Sequence, residues 1–288
     1  LILSDHSAQG YATLTAADGS QSTYRTTDTS LPQTFTGIGD AADGSVLTKV
    51  SPTSYTLTDT DGTVTTWTLR TTVWQVTSVV QTGNEATTTF TYDASNRVTR
   101  ILAPVPTDVT CPTTGPLLPG CRALDITYAA TTTATGTTPG TWGDYAGQVS
   151  SIAYTSYDPA NSSMATTTVA SYQYDATGHL RAQWDPRISP ALKTTYDYTG
   201  NRLTTLTPPG QNAWTLDYDT ANRVVDAKRT DPTNGTATTA VVYGIPITGT
   251  GAAIDLGAGG PNDPATWGHA SDLPRVGAAI FPASHVPG

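Results

Sequence analysis

Tyr-Asp pairs recur in one repeated setting, with the aspartates Asp93, Asp175, Asp197 and Asp219, and carboxylates recurring in one setting are the first candidates for acid–base chemistry or metal ligation. Three residues after each comes Asn96, Gly178, Gly200 or Asn222, the two residue types that best tolerate a left-handed backbone. That pairing accounts for the aspartates without catalysis. Asp is favoured at the first position of a type I turn, where its carboxylate accepts backbone N–H groups two residues on. Other constellations carry less. Asp59-Thr60-Asp61-Gly62 resembles the opening of a calcium loop but lacks the Glu that should close it. His6 beside Asp5 and Ser4 makes a triad only on paper, since sequence neighbours rarely converge that way, and His179, His269 and His285 give no better case. A glycosidase needs two convergent acids, and the one Glu is Glu85. Gly257-Ala258-Gly259-Gly260 lacks the Lys of a phosphate loop. The sequence predicts no catalytic residue, no metal ligand and no cofactor.

Cys111 and Cys121 stand ten residues apart in a stretch rich in Pro and Gly with little apolar core of its own. A disulfide is the favoured reading, since closing such a loop restricts the unfolded chain by about 3 kcal/mol, and it implies an oxidising compartment. Two unpaired thiols are the alternative. A tetrahedral metal site lacks a nearby His or third Cys.

The elements that must position these residues follow from composition. Of 288 residues, 13% are charged, about half the usual share, and about one residue in five is Thr. Such a chain is poor in helix formers and rich in strand formers, and 26 Gly with 20 Pro punctuate it regularly. This excludes helical bundles, coiled coils and most doubly wound α/β enzymes. A net charge of -9 without any basic run argues against nucleic acid as a partner. The aromatic content, 6 Trp, 14 Tyr and 3 Phe, argues against disorder. No run of apolar residues is long enough to span a membrane as a helix. A start at Leu1 and an end at Gly288 in mid-pattern suggest a piece of a longer protein.

The segments Thr89 to Val98, Ser171 to Leu180 and Thr215 to Val224 align without gaps, and Thr194 to Leu203 aligns with one extra residue after its Gly. Before each turn apolar residues alternate, as in Tyr172 and Tyr174 or Leu216 and Tyr218, which predicts strands with one buried face and one Thr-rich face. Each unit reads as two antiparallel strands around a type I turn with a bulge residue, and the last three recur every 22 residues, from Tyr174 to Tyr196 to Tyr218. Tyr92 heads the first. Two further hairpins are predicted around Asp18-Gly19 and Asp61-Gly62. The expected organisation is an N-terminal hairpin region over 1–85, a repeat sheet over 86–245 and a Gly/Pro-rich connector over 246–288. An insertion over 103–150 carries the cysteine loop and a surface run from Thr131 to Gly140.

The Tyr-Asp-x-x-Gly/Asn-Arg-Leu/Val unit resembles the YD repeat of the Rhs family, which includes teneurins and the cocoon subunits of insecticidal toxin complexes. The matching units run from Tyr92 to Val98, Tyr174 to Leu180, Tyr196 to Leu203 and Tyr218 to Val224, within a repeat signal covering residues 86–235. The resemblance implies an all-β fold of antiparallel hairpins in a curved, spiralling sheet that forms a segment of a shell. It implies a secreted or cell-surface bacterial setting, with the remainder of the same chain and its cargo, a toxin or effector domain, as partners. The self-cleaving core segment of the family is not recognisable here, so the likeness is to shell wall alone. The competing expectation is an adhesin or glycan-binding β module, its partner a cell-surface glycan or protein held on the sheet face or the cysteine loop.

Overall fold

A computed structural model describes residues 1–83, 86–105, 108–231, 235–243 and 276–280. It is all-β, as the Thr-rich, helix-poor composition predicts. The strands are β1 (Ile2–His6), β2 (Tyr11–Thr15), β3 (Gln21–Arg25), β4 (Gln33–Ile38), β5 (Val46–Ser51), β6 (Ser54–Thr58), β7 (Val64–Arg70), β8 (Val73–Gln81), β9 (Ala86–Tyr92) and β10 (Val98–Leu102). They continue as β11 (Ala123–Tyr128), β12 (Val149–Asp158), β13 (Ser163–Tyr174), β14 (Leu180–Trp184), β15 (Thr194–Thr199), β16 (Arg202–Thr207), β17 (Trp214–Tyr218), β18 (Val224–Asp231), β19 (Gly235–Tyr243) and β20 (Val276–Ile280). Most of the chain beyond Tyr243, including the segment read as a connector, lies outside the described residues.

Two compact units divide the chain. The first comprises Leu1–Tyr128 and Val149–Val169. Its strands β1 to β9 pair antiparallel in chain order, and β9, β10, β11 and β12 continue the same way. In β2, β4 and β6 burial alternates strictly, with Ala12, Leu14, Phe35, Tyr55 and Leu57 turned inward. The strands wrap so that β1 lies against β8. Their inward side chains, among them the fully buried Phe35, Leu47, Tyr55 and Trp67, fill the space between. The N-terminal hairpins thus form a curved turn of sheet whose inner side is filled by side chains.

A second core lies under the cysteine loop, where Leu102, Leu117, Cys121 and Ala123 are buried together and Val109, Cys111 and Met164 pack against them. The disulfide Cys111–Cys121 is present. The region 103–150 also carries β11, which joins β10 to β12, so a sheet strand separates the cysteine loop from the Thr/Gly-rich run.

The second unit comprises Ala129–Gln148 and the chain from Ala170 onward. Antiparallel pairing runs from β13 through β20 in chain order. Most residues of β15 to β18 are half-buried whichever face they occupy, so the expected division into one buried and one exposed face holds only weakly here. The run from Thr131 to Gly140 is a largely exposed loop, as expected, held down where Ala134 is buried and where the Gly136 carbonyl accepts a hydrogen bond from the Ala176 N–H. Just beyond it, Gly143 exchanges two hydrogen bonds with Tyr174.

Candidate functional site

One five-residue turn recurs at residues 93–97, 175–179 and 219–223. In each, the first N–H donates to the fifth carbonyl and the fourth N–H donates to the first carbonyl, at 2.9 to 3.1 Å. The fourth residue has positive φ: Asn96 63°, Gly178 89°, Asn222 66°. Each aspartate Oδ1 accepts two backbone N–H groups, for Asp93 those of Ser95 and Arg97 and for Asp219 those of Ala221 and Arg223. Those of Arg97 and Arg223 are the leading cause that holds the two carboxyls below their ordinary range. The same backbone pattern closes residues 16–20 and 59–63, with Gly19 and Gly62 at positive φ. Asp59 and Asp61 serve that turn by accepting the N–H groups of Thr60 and Thr63.

Asp175 departs from its counterparts because it is fully buried. Burial alone would raise its pKa. The Thr177 hydroxyl, the Arg181 guanidinium 2.7 Å away and the backbone N–H groups of His179 and Thr177 outweigh burial and hold the carboxyl well below the carboxylate range. Arg181 is itself buried and reaches on to the carbonyl of Tyr196 and the carboxylate of Asp197.

Asp197 is not a turn residue. It lies within β15 opposite Thr205 with its side chain 59% exposed, and the strand runs on so that Tyr198 faces Leu203. The turn is two residues long, Gly200-Asn201, with Gly200 at φ 59°. Gly leads the tight hairpin loops that need positive φ at their first position. Tyr198, and not Tyr196, therefore occupies the place of Tyr92, Tyr174 and Tyr218, which face Val98, Leu180 and Val224 beside a shift in register.

The tyrosines do mechanical work. At the end of its strand, a Tyr hydroxyl donates to a carbonyl on the preceding strand: Tyr92 to Val76, 2.6 Å; Tyr128 to Val98, 3.0 Å; Tyr218 to Leu203, 2.6 Å; Tyr243 to Val224, 2.9 Å. An arginine or a histidine ring from the preceding hairpin lies over the ring. Arg97 sits 4.2 Å from the centroid of Tyr128 and Arg223 4.4 Å from that of Tyr243, while His179 stacks on Tyr198 at 4.6 Å. Arg97 and Arg223 also donate through Nε to Asp93 and Asp219. Turn aspartate, turn arginine and the next tyrosine thus form one relay that ends on the backbone. Tyr128 and Tyr243 escape the sequence motif because no aspartate follows them.

The remaining candidates resolve as follows. His6 stacks on Tyr11 at 4.6 Å, while Asp5 turns to Lys49, 2.7 Å, and to the Tyr55 hydroxyl, 2.8 Å. Burial opposes ionisation of Asp5, yet Lys49, Ser7 and Tyr55 lower its pKa to about 2. Burial and the Asp5 carboxylate push the Tyr55 phenol up. The cluster joins β1 to β5 and β6 across 44 to 50 residues of sequence. Among the described residues, no three His, Cys, Asp or Glu side chains are grouped to hold a metal ion, and no helix is long and apolar enough to cross a membrane.

No family model matches this chain, and no curated protein matches it. Among solved structures, one described as the crystal structure of TcdB2-TccC3-Cdc42 aligns with 81% of this chain at 16% identity and a TM-score of 0.25. This chain spans 15% of that one. The likeness is too slight to carry any argument about function.

Proposed function

We propose that this chain is a non-catalytic structural segment of a secreted or cell-surface bacterial shell of the Rhs type, encapsulating or displaying a toxin or effector domain that lies outside these residues. The observation that supports the reading is the relay from turn aspartate to turn arginine to the next tyrosine to a neighbouring backbone carbonyl. Each hairpin is tied to the next by side chains as well as by its strand ladder. A wall built from hairpins needs that property, because a hairpin alone is marginally stable and gains its stability from its neighbours. The disulfide fits an oxidising compartment.

The test is cryo-electron microscopy of the intact protein from its source, paired with limited proteolysis. A continuous hairpin wall around density for another segment, with that segment cleaved only after the wall is denatured, is the expected result. An open sheet with nothing inside, or a cargo segment cleaved as fast as its free form, overturns the reading.

A further inference from the structure

Among the described residues, nearly every cationic side chain is engaged with a carboxylate, an amide or an aromatic ring. Arg25 and Arg122 have no such partner, and each lines a groove. The groove at Arg25 is the larger of the two, about 700 Å³, and one cation, one aromatic ring, an amide and several Thr hydroxyls line it. Cross-strand pairing sets His6 opposite Tyr11, Tyr11 opposite Arg25, and Arg25 opposite Thr36, a transverse row on β1 to β4. Their neighbours Ala12, Tyr24 and Phe35 point into the core, so the row faces outward. His6 stacks on Tyr11 at an interplanar angle of 21°, which fixes the ring that borders the groove. Gln9, Thr27 and Thr34 complete the lining with amide and hydroxyl groups. Asp28, the nearest acid in sequence, is committed to its own loop, where it accepts the Thr34 N–H at 2.8 Å.

We infer that this groove is a binding site for an acidic saccharide, a pyranose carrying a carboxylate. The residue types match that ligand part by part. A guanidinium with no internal counter-ion takes a carboxylate in two parallel hydrogen bonds. A held tyrosine ring offers an apolar plane to the C–H face of a sugar. The Thr hydroxyls and the Gln amide both donate and accept, as sugar hydroxyls require. A net charge of -9 makes unspecific attraction of anions unfavourable, so capture depends on this local arrangement. The site does not depend on whether the sheet encloses anything, and its failure leaves the shell reading untouched.

The experiment is saturation-transfer NMR and calorimetric titration of the whole chain with tetragalacturonate, with its methyl ester as the neutral counterpart and with sodium acetate as the anion alone. Tetragalacturonate is expected to bind at least about tenfold more tightly than the ester, and acetate not measurably. Arg25→Gln should lower affinity at least about tenfold, and Tyr11→Ala should weaken it further, whereas Arg122→Gln at the other groove should change nothing. Equal binding of acid and ester overturns the inference, and it needs no variant, so it decides the matter even if Arg25→Gln misfolds. Absence of binding at about 10 mM, or wild-type affinity in a folded Arg25→Gln, overturns it as well.

Discussion

The Tyr218 hydroxyl donates a 2.6 Å hydrogen bond to the carbonyl of Leu203, the second residue of the return strand β16 of the preceding hairpin, while Arg202 lies over the tyrosine ring at 5.6 Å. One phenol thereby closes both the polar and the apolar side of a hairpin junction. Tyr218→Phe removes only the hydrogen bond and should lower unfolding stability by about 1 kcal/mol in a urea titration. Tyr218→Ala also removes the half-buried ring and should cost more, about 2 to 3 kcal/mol. Equal stabilities of wild type and the Phe variant would show that the bond contributes nothing beyond its geometry.

Asp175 and Asp93 occupy the same place in the same turn, yet their substitution should differ sharply. Asp175→Asn removes the nearer, buried charge partner of Arg181 and leaves it only the exposed Asp197 carboxylate at 3.4 Å, a change expected to cost about 3 kcal/mol. Asp93→Asn keeps a turn-forming amide at a solvated position beside an arginine that also rests on Tyr128, so the loss should be much smaller. Asp197→Asn, in mid-strand and largely exposed, should be close to neutral. Thermal melts of the three variants rank them directly, and a rank order other than Asp175, then Asp93, then Asp197 contradicts the assignment.

Those three aspartates also mark what was legible in the sequence. Asp-x-x-Asn/Gly read correctly as a turn wherever five residues separate the paired strand ends, because the first carboxylate and the left-handed fourth residue are local requirements. At Tyr196-Asp197 the same letters occur two residues too early. The tighter Gly200-Asn201 loop lets β15 continue, and pairing of Tyr198 with Leu203 outweighs the resemblance. Tyr128 and Tyr243 were invisible because their role is fixed by the preceding hairpin rather than by their own neighbours. The Asp5–Lys49–Tyr55 cluster could not be read at all, since wrapping of the first eight strands brings it together from distant positions.

Acid should weaken the first unit through Asp5. Its folded pKa of about 2 lies below the ordinary value of 3.8, so the unfolded chain binds the proton more readily. The stabilisation is present above pH of about 4 and is lost as pH falls toward 2. For this one carboxylate it amounts to at most about 2 kcal/mol. Asp175, also held well below the ordinary range, loses its contribution to the second unit at lower pH still. Asp5→Asn should flatten the pH dependence of urea unfolding between about pH 4 and 2, and an unchanged slope contradicts the role assigned to the Lys49 pair.

The Cys111–Cys121 bond closes a short loop over a small core, so its removal should act locally. Cys111→Ala with Cys121→Ala should cost about 3 kcal/mol by loop entropy and raise amide exchange over residues 103–122 before it does so in β2 to β7. Uniform acceleration across the first unit would instead tie the loop to the whole wrapped sheet.

Gly178 tests whether the turn positions are interchangeable. Asn96 and Asn222 hold the same left-handed conformation, so turn geometry by itself would accept Asn at residue 178. The Tyr145 ring lies over Gly178, and an added Cβ would meet Cε1 and Cζ of that ring at 3.1 Å. Gly178→Asn should therefore destabilise the second unit by about 1 to 3 kcal/mol, from overpacking rather than from backbone strain. In Gly178→Asn with Tyr145→Ala the two losses should add to less than their sum, because the second change removes the clash that the first creates. Strict additivity in that double-mutant cycle would locate the cost in the turn itself, and the choice between Gly and Asn along the repeats would then lose its packing explanation.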